Sequence, residues 1–307
     1  MIRYISWRAG QSLLTLLVLL TFIFVAVRLT GDPTSSLLPE MATAEDRAEL
    51  RSALHLDLPI WRQYLAYVAD MVRGEFGRSY KWDRPVAEML LDRLPVTGTL
   101  ALLGGALTLG IGLPLGVIAA RYRGQAADYF ARGVALIGQS VPIFVLGLLG
   151  ILLFSVKLAW LPVAGVDKAL GYVLPAMTLG WFGVAAMIRV TRVSMLNALG
   201  ADYIVTARAK GLSRAHIVYR HALPNALIPI VTIFGLILAT LLTGAVVTET
   251  LFGLPGVGRL AVEAIVTRDF PIVQGVVVFT TSVYIFINFL VDVMYGFLDP
   301  RTRQGNR

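Results

Sequence analysis

The chain has 307 residues, 57% of them hydrophobic and only 15% charged, with a net charge of +8 and a mean hydropathy of +0.73. A soluble domain carries about 25% charged residues, so this composition cannot coat a globular surface and excludes an ordinary soluble fold. The absence of cysteine excludes disulfides and thiolate metal sites. In so apolar a chain the positive charge points to loops held in the cytoplasm, not to a nucleic-acid partner.

A membrane span needs about 20 apolar residues. Six stretches qualify in chain order: Gln11–Leu29, Val96–Ala120, Ala131–Val156, Val173–Ile188, Ala226–Val247 and Ile272–Leu290. The first follows Arg3 and Arg8 like a signal peptide. Its apolar run is too long for one, however, and Thr30-Gly31-Asp32-Pro33 is no small-residue cleavage site, so an uncleaved span is expected. With the N-terminus inside, the inner segments carry 14 basic residues against four acids, Asp128, Asp202, Asp292 and Asp299. The outer segments then hold 12 basic residues against 15 acids. This asymmetry places both termini in the cytoplasm. The expected fold is an all-α polytopic membrane protein with six transmembrane helices.

Between the first two spans, residues 30–95 read as a small helical extracytoplasmic cap, with a mobile loop as the alternative. Thr43-Ala44-Glu45-Asp46 has the capping residue and acids of a helix start. Pro59 opens a second helix bearing Ile60, Tyr64, Tyr67 and Met71 on one face, and Pro85 a third carrying Val86, Met89, Leu90 and Leu94. Pro114, Pro142, Pro175 and Pro229 are expected to kink spans two to five. Gly110, Gly112 and Gly116 read as close helix packing, not as a dinucleotide loop.

No G-x-x-x-x-G-K-[ST] string exists; Gly253-Leu254-Pro255-Gly256-Val257-Gly258-Arg259 is glycine-rich but lacks the Lys-Ser/Thr end. Any ATP must therefore be bound by another chain. His216 and His221 are five residues apart, off the spacing that aims two imidazoles at one metal, and His55 stands alone, so no metal site is expected. No catalytic constellation is visible. Tyr284, Asn288 and Asp292 share a face of span six and are candidates for the pathway or a gate, with an interfacial Arg partner for Asp292 as the alternative. Glu249, between Thr248 and Thr250, reads as interfacial.

Residues 194–224 are too polar to span and too patterned to be floppy. Ala198, Ala201, Ile204, Val205 and Ala209 allow a short helix that Gly211 stops in the left-handed conformation. Ser213 caps a second helix running through Ile217, Val218 and His221, and Pro224 ends the motif before span five. Helix, glycine hinge and helix make a stiff cytoplasmic knob able to transmit a rigid push.

Thr206-Ala207-Arg208-Ala209-Lys210-Gly211-Leu212-Ser213, followed by His221-Ala222-Leu223-Pro224, resembles the EAA loop of binding-protein-dependent ABC importer permeases. Gly211 stands thirteen residues before Pro224, as that pattern requires. Val205, Thr206 and His221 depart from the general pattern in the manner of the dipeptide/oligopeptide/nickel subgroup. Leu251–Leu260, Arg268–Pro271, Asp299–Arg301 and Gly31–Pro33 are similar to further segments of that subgroup, and the long cap to the first of its two permeases.

The resemblance implies a type I ABC importer (MetI-like) permease core over residues 96–295. An N-terminal helix (1–29) and the cap precede it, and a cytoplasmic tail (296–307) follows. It implies a bacterial inner-membrane location and a homologous second permease forming a heterodimer. Two partner ATPase subunits would bind ATP and Mg, this chain holding no cofactor and catalysing nothing, and an extracytoplasmic solute-binding protein would deliver short peptides. Nickel, opines, sugars or glutathione-like solutes are the alternative cargo; an ion-coupled carrier or a membrane enzyme are the alternative classes. Thr206, Ala207, Arg208, Lys210, Gly211, Leu212, Ser213, His221, Leu223 and Pro224 would form the coupling segment, with Arg208, Lys210 and Arg214 contacting the ATPase or, as the alternative, serving only as positive-inside anchors.

Overall fold

The computed structural model describes residues 2–29, 43, 45, 57–163, 165 and 169–298. Within that range the chain is helical and forms no extended sheet; one isolated bridge joins Arg78 to Pro85. The segments at 31–33 and 299–301, His55 and most of the helix start at 43–46 lie outside the described residues.

Helix α1 (Ile2–Leu29) is the first span. Helix α2 (Ile60–Arg73) starts after Pro59 and ends at Gly74 in the left-handed conformation. It packs on α1 through Phe24 against Tyr64 and Tyr67, and Arg28 bonds Gln63. Helix α3 (Val86–Leu107) follows Pro85, continues through a π-helical turn at Thr108–Gly112 and runs into α4 (Leu113–Arg121).

The expected third cap helix and the second span are thus one helix, and a boundary between residues 95 and 96 falls inside it. Pro95 removes one helical hydrogen bond. Burial of Val86, Met89 and Leu90 against Leu260, Ile272 and Val276 outweighs that loss.

Helix α5 (Ala126–Ser140) and α6 (Ile143–Gly150) meet at 104°. The third span is therefore broken, not merely kinked. Pro142 cannot donate to the ladder, and Val141 before it is extended. A π-helical segment, Ile151–Lys157, completes this limb.

A 3-10 turn (Ala169–Tyr172) leads into α7 (Val173–Leu199). The apolar window of α7 is 67% buried, against 17% for the first and last spans, so α7 is the central post. Pro175 lies in its first turn, where no amide is needed, and does not kink it. Gly112 and Gly116 meet Met187 and Thr191 at would-be Cβ distances of 2.7 and 2.5 Å, so these glycines let α4 lie against α7, as small-residue packing predicts. Gly110 faces open space and takes no part.

Helix α8 (Asp202–Ala209) and the short α9 (Arg214–His216) form the polar loop. A π-helical turn, Ile217–Ala222, joins α9 to α10 (Leu223–Gly244). Helix α11 (Val246–Leu251) and α12 (Val257–Val266) fold back beside the end of α3 that carries Val86, and α13 (Phe270–Leu298) is the last span. Five helices are long and apolar enough to cross a membrane, and the bent α5–α6 limb makes six among the described residues.

Candidate functional site

The polar loop between α7 and α10 is a two-faced knob. Its inner face belongs to the main core: Ile204, Ala207, Ile217, Val218 and Ala222 cluster with Val117, Ala120, Met195 and Ala198. Its outer face exposes Thr206, Arg208, Lys210, Gly211, Ser213 and Pro224, while Leu212, His221 and Leu223 are half-buried.

Gly211 has φ +75°, and its amide bonds the Arg208 carbonyl at 2.9 Å. No atom lies within 4 Å of a would-be Cβ, so backbone conformation, not space, calls for glycine there. Ser213 accepts from the His216 amide at 3.3 Å, the expected cap. Asn225 donates to the His221 carbonyl at 2.7 Å. Burial raises the Tyr203 phenol above its ordinary pKa, opposed by a hydrogen bond with Asn225.

Two local expectations need correction. The first short helix begins at Asp202, after an extended Ala201; Ala198 is the last buried residue of α7, because Gly200 ends that helix before the knob starts. Pro224 also does not end the second helix. The chain is helical from Arg214 to Thr243, since the π turn widens the helix where the proline ring would otherwise strike a carbonyl. The knob's second arm and the fifth span are one lever.

His216 and His221 have ring centroids 5.3 Å apart, and no group of His, Asp and Glu suited to a metal occurs among the described residues. Tyr284, Asn288 and Asp292 do share a face of α13. Asn288 donates to the Tyr284 carbonyl at 3.0 Å, and Asp292 meets Arg8 of α1 at 3.4 Å, which places this acid at the α1–α13 seam.

Three buried polar sites were not visible in the sequence. Glu249 is wholly buried, not interfacial. Thr97 donates to its Oε1 at 2.6 Å and the Arg259 amide to its Oε2 at 2.9 Å. The carboxyl thus sits at the N-terminus of α12, where free amides and the helix dipole favour it. A Cβ at Gly256 would strike this carboxyl, and one at Gly258 would come within 2.6 Å of the Val246 backbone, which explains two glycines of the 253–259 run. Asp269 accepts from Ser79 at 2.6 Å and from the Lys81 amide at 3.1 Å; burial and this carboxylate raise the Tyr80 phenol. Asp128 takes both Nε and Nη2 of Arg192 at 2.6 and 2.9 Å and the Gly124 amide at 3.0 Å. The only sequence signal for these was an acid amid apolar or basic neighbours.

Residues 112–304 match the family described as binding-protein-dependent transport system inner membrane component, and residues 1–101 match its N-terminal companion model. The chain is 39% identical to the dipeptide transport system permease protein DppB of Escherichia coli (strain K12) over 99% of both chains. It is 38% identical to the di/tripeptide transport system permease protein DppB of Pseudomonas aeruginosa (strain UCBPP-PA14), again over 99% of each. Among solved structures, a chain of the inward-facing MetNI methionine ABC transporter aligns with a TM-score of 0.58 at 22% identity, covering 69% of this chain and 96% of that one, which establishes the shared fold. With a full-length match on a six-limbed helical bundle, this chain belongs to the family of binding-protein-dependent transport system inner membrane components, as a multi-pass permease.

Proposed function

We propose that the chain is one of two homologous permeases in an ATP-driven importer of short peptides. A solute-binding protein delivers cargo at the outer face. Two ATPase subunits, which carry ATP and Mg, dock at the inner face on the knob, and both termini of this chain are cytoplasmic. Its similarity to a dipeptide and a di/tripeptide transport permease supports the peptide cargo, and the charge asymmetry of the loops supports the orientation.

The observation that carries the coupling role is the construction of the knob. A buried base of Ile204, Ala207, Ile217 and Val218 transmits displacement of the exposed tip directly into α7 and into the continuous lever of α9 and α10. Arg208, Lys210 and Arg214 are exposed and supply charge for acidic groups on the ATPase. In the assembled importer, Gly211→Pro is expected to leave membrane insertion intact and to abolish solute uptake and its coupled ATP hydrolysis. Normal uptake by that variant sinks the coupling role.

A further inference from the structure

The α5–α7 face holds an arginine in an unusual place. Arg189 is exposed, and its Nη1 donates to Oε1 of Gln139 at 2.8 Å. The neighbouring Gly138 packs on Trp181 and Ala185, so Gln139 lies beside the middle of the 27-residue α7, about 20 Å from its Leu199 end. A lipid-facing arginine bends its side chain towards the nearest aqueous surface. This one reaches back about a turn, towards the middle of α7.

Gln139 lines two concavities. One, of about 460 Å³, adds Arg132, Arg189 and Arg192. The other, of about 360 Å³, lies at the α5–α6 break with Ser140, Pro142, Thr178, Phe182 and Thr240. Thr178 on this lining is only 6% exposed. Among the described residues no acid lines either concavity. Arg192 is neutralised by Asp128, and Arg132 stacks over Tyr129 at 5.9 Å. Among the described residues Arg189 is left with a neutral partner, Gln139.

We infer that this face is a wall of the solute pathway, and that Arg189, oriented by Gln139, engages the carboxylate of a passing peptide. The inference rests on the peptide-importer reading. It adds a binding residue and the chemical group bound there, and the broken helix adjacent to it supplies unpaired backbone groups of the kind found at midplane substrate sites.

Two experiments on the assembled importer separate this inference from that reading. The chain has no native cysteine, so Gln139→Cys and Thr178→Cys can be probed in membrane vesicles with a water-soluble methanethiosulfonate, reading label on this chain. Both are expected to react; inert cysteines at both positions overturn the inference whatever the cargo proves to be. Labelled dialanine and its C-terminal amide are then offered. Arg189→Gln is expected to cut dialanine uptake at least about tenfold, the scale of one charge-assisted hydrogen bond, to leave uptake of the amide at the wild-type level, and to be partly rescued by Arg189→Lys. Equal loss for both peptides, unchanged dialanine uptake, or loss of the second permease on purification (an arginine serving a partner's acid) each overturn the inference. If the wild type takes up neither peptide while the cysteines react, the peptide cargo fails, and with it the carboxylate role, but the pathway wall stands.

Discussion

Single residues in this chain act by what they exclude as much as by what they bind. Gly256 is required by the Glu249 carboxyl, which occupies the space of a side chain there. Glu249 in turn has no cation among its hydrogen-bond partners; its oxygens take Thr97 and the Arg259 amide. Thr97 also receives the Val257 amide at 2.9 Å, so one hydroxyl ties α3, α11 and α12 together. Thr97→Val is expected to cost about 1–3 kcal/mol, because it strands one carboxyl oxygen and one amide. Gly256→Ala is expected to cost about 1–3 kcal/mol by overpacking. Thermal unfolding of the purified protein in detergent checks both, and a Gly256→Ala protein as stable as wild type would show that the carboxyl can move aside.

At the scale of elements, the seam between α5 and α7 is held at one end by Asp128–Arg192 and further along by Gln139–Arg189. In the first pair Asp128 is buried, with a side-chain exposure of 2%, and Arg192 is partly buried at 20%. Removing one partner of such a pair strands a charge, whereas removing both does not. Asp128→Asn is therefore expected to destabilise by about 3 kcal/mol, and Asp128→Asn with Arg192→Met by clearly less. A double-mutant cycle on thermal stability measures the difference; additive losses would mean the two side chains act independently. The same reasoning explains why the fourth span outruns its apolar stretch. The basic turn after Ile188 is drawn into α7 by an acid 64 positions earlier in the chain.

For the molecule as a whole, α7 is the post on which the other limbs lean. It meets α3 backbone to backbone, where a Cβ on Gly180 would meet the Gly104 carbonyl oxygen at 2.9 Å and the Gly104 Cα at 3.0 Å. Two backbones in contact leave no slack, so a displacement of α7 would carry α3 with it without a side chain to absorb it. Gly180→Leu is expected to push α3 and α7 apart, lowering both thermal stability and solute uptake. Retained stability with lost uptake would assign the contact to motion, and retention of both would remove its importance.

Much of this was legible beforehand. Hydropathy located the limbs, because lipid demands long apolar helices whatever their arrangement. The knob's hinge and cap were readable at Gly211 and Ser213, because left-handed stops and N-caps are set by a few neighbouring residues. The close packing of Gly112 and Gly116 on α7 followed from short-range spacing of the same kind. Other features depended on partners remote in the chain. Pro95 and Pro224 looked like boundaries, yet packing and a π turn carried helices through both. Pro142 looked like one kink among four and proved to be the break. The burial of Glu249, the pairing of Asp128 and the bond of Arg189 to Gln139 needed residues brought together by folding, and no local pattern encodes those distances. The chain by itself thus determined which segments enter the membrane and where they turn, since these are matters of local chemistry and solvent. Only the tertiary structure decided which charges are buried, which prolines matter and which face lines a cavity, since each depends on the neighbour that arrives from elsewhere.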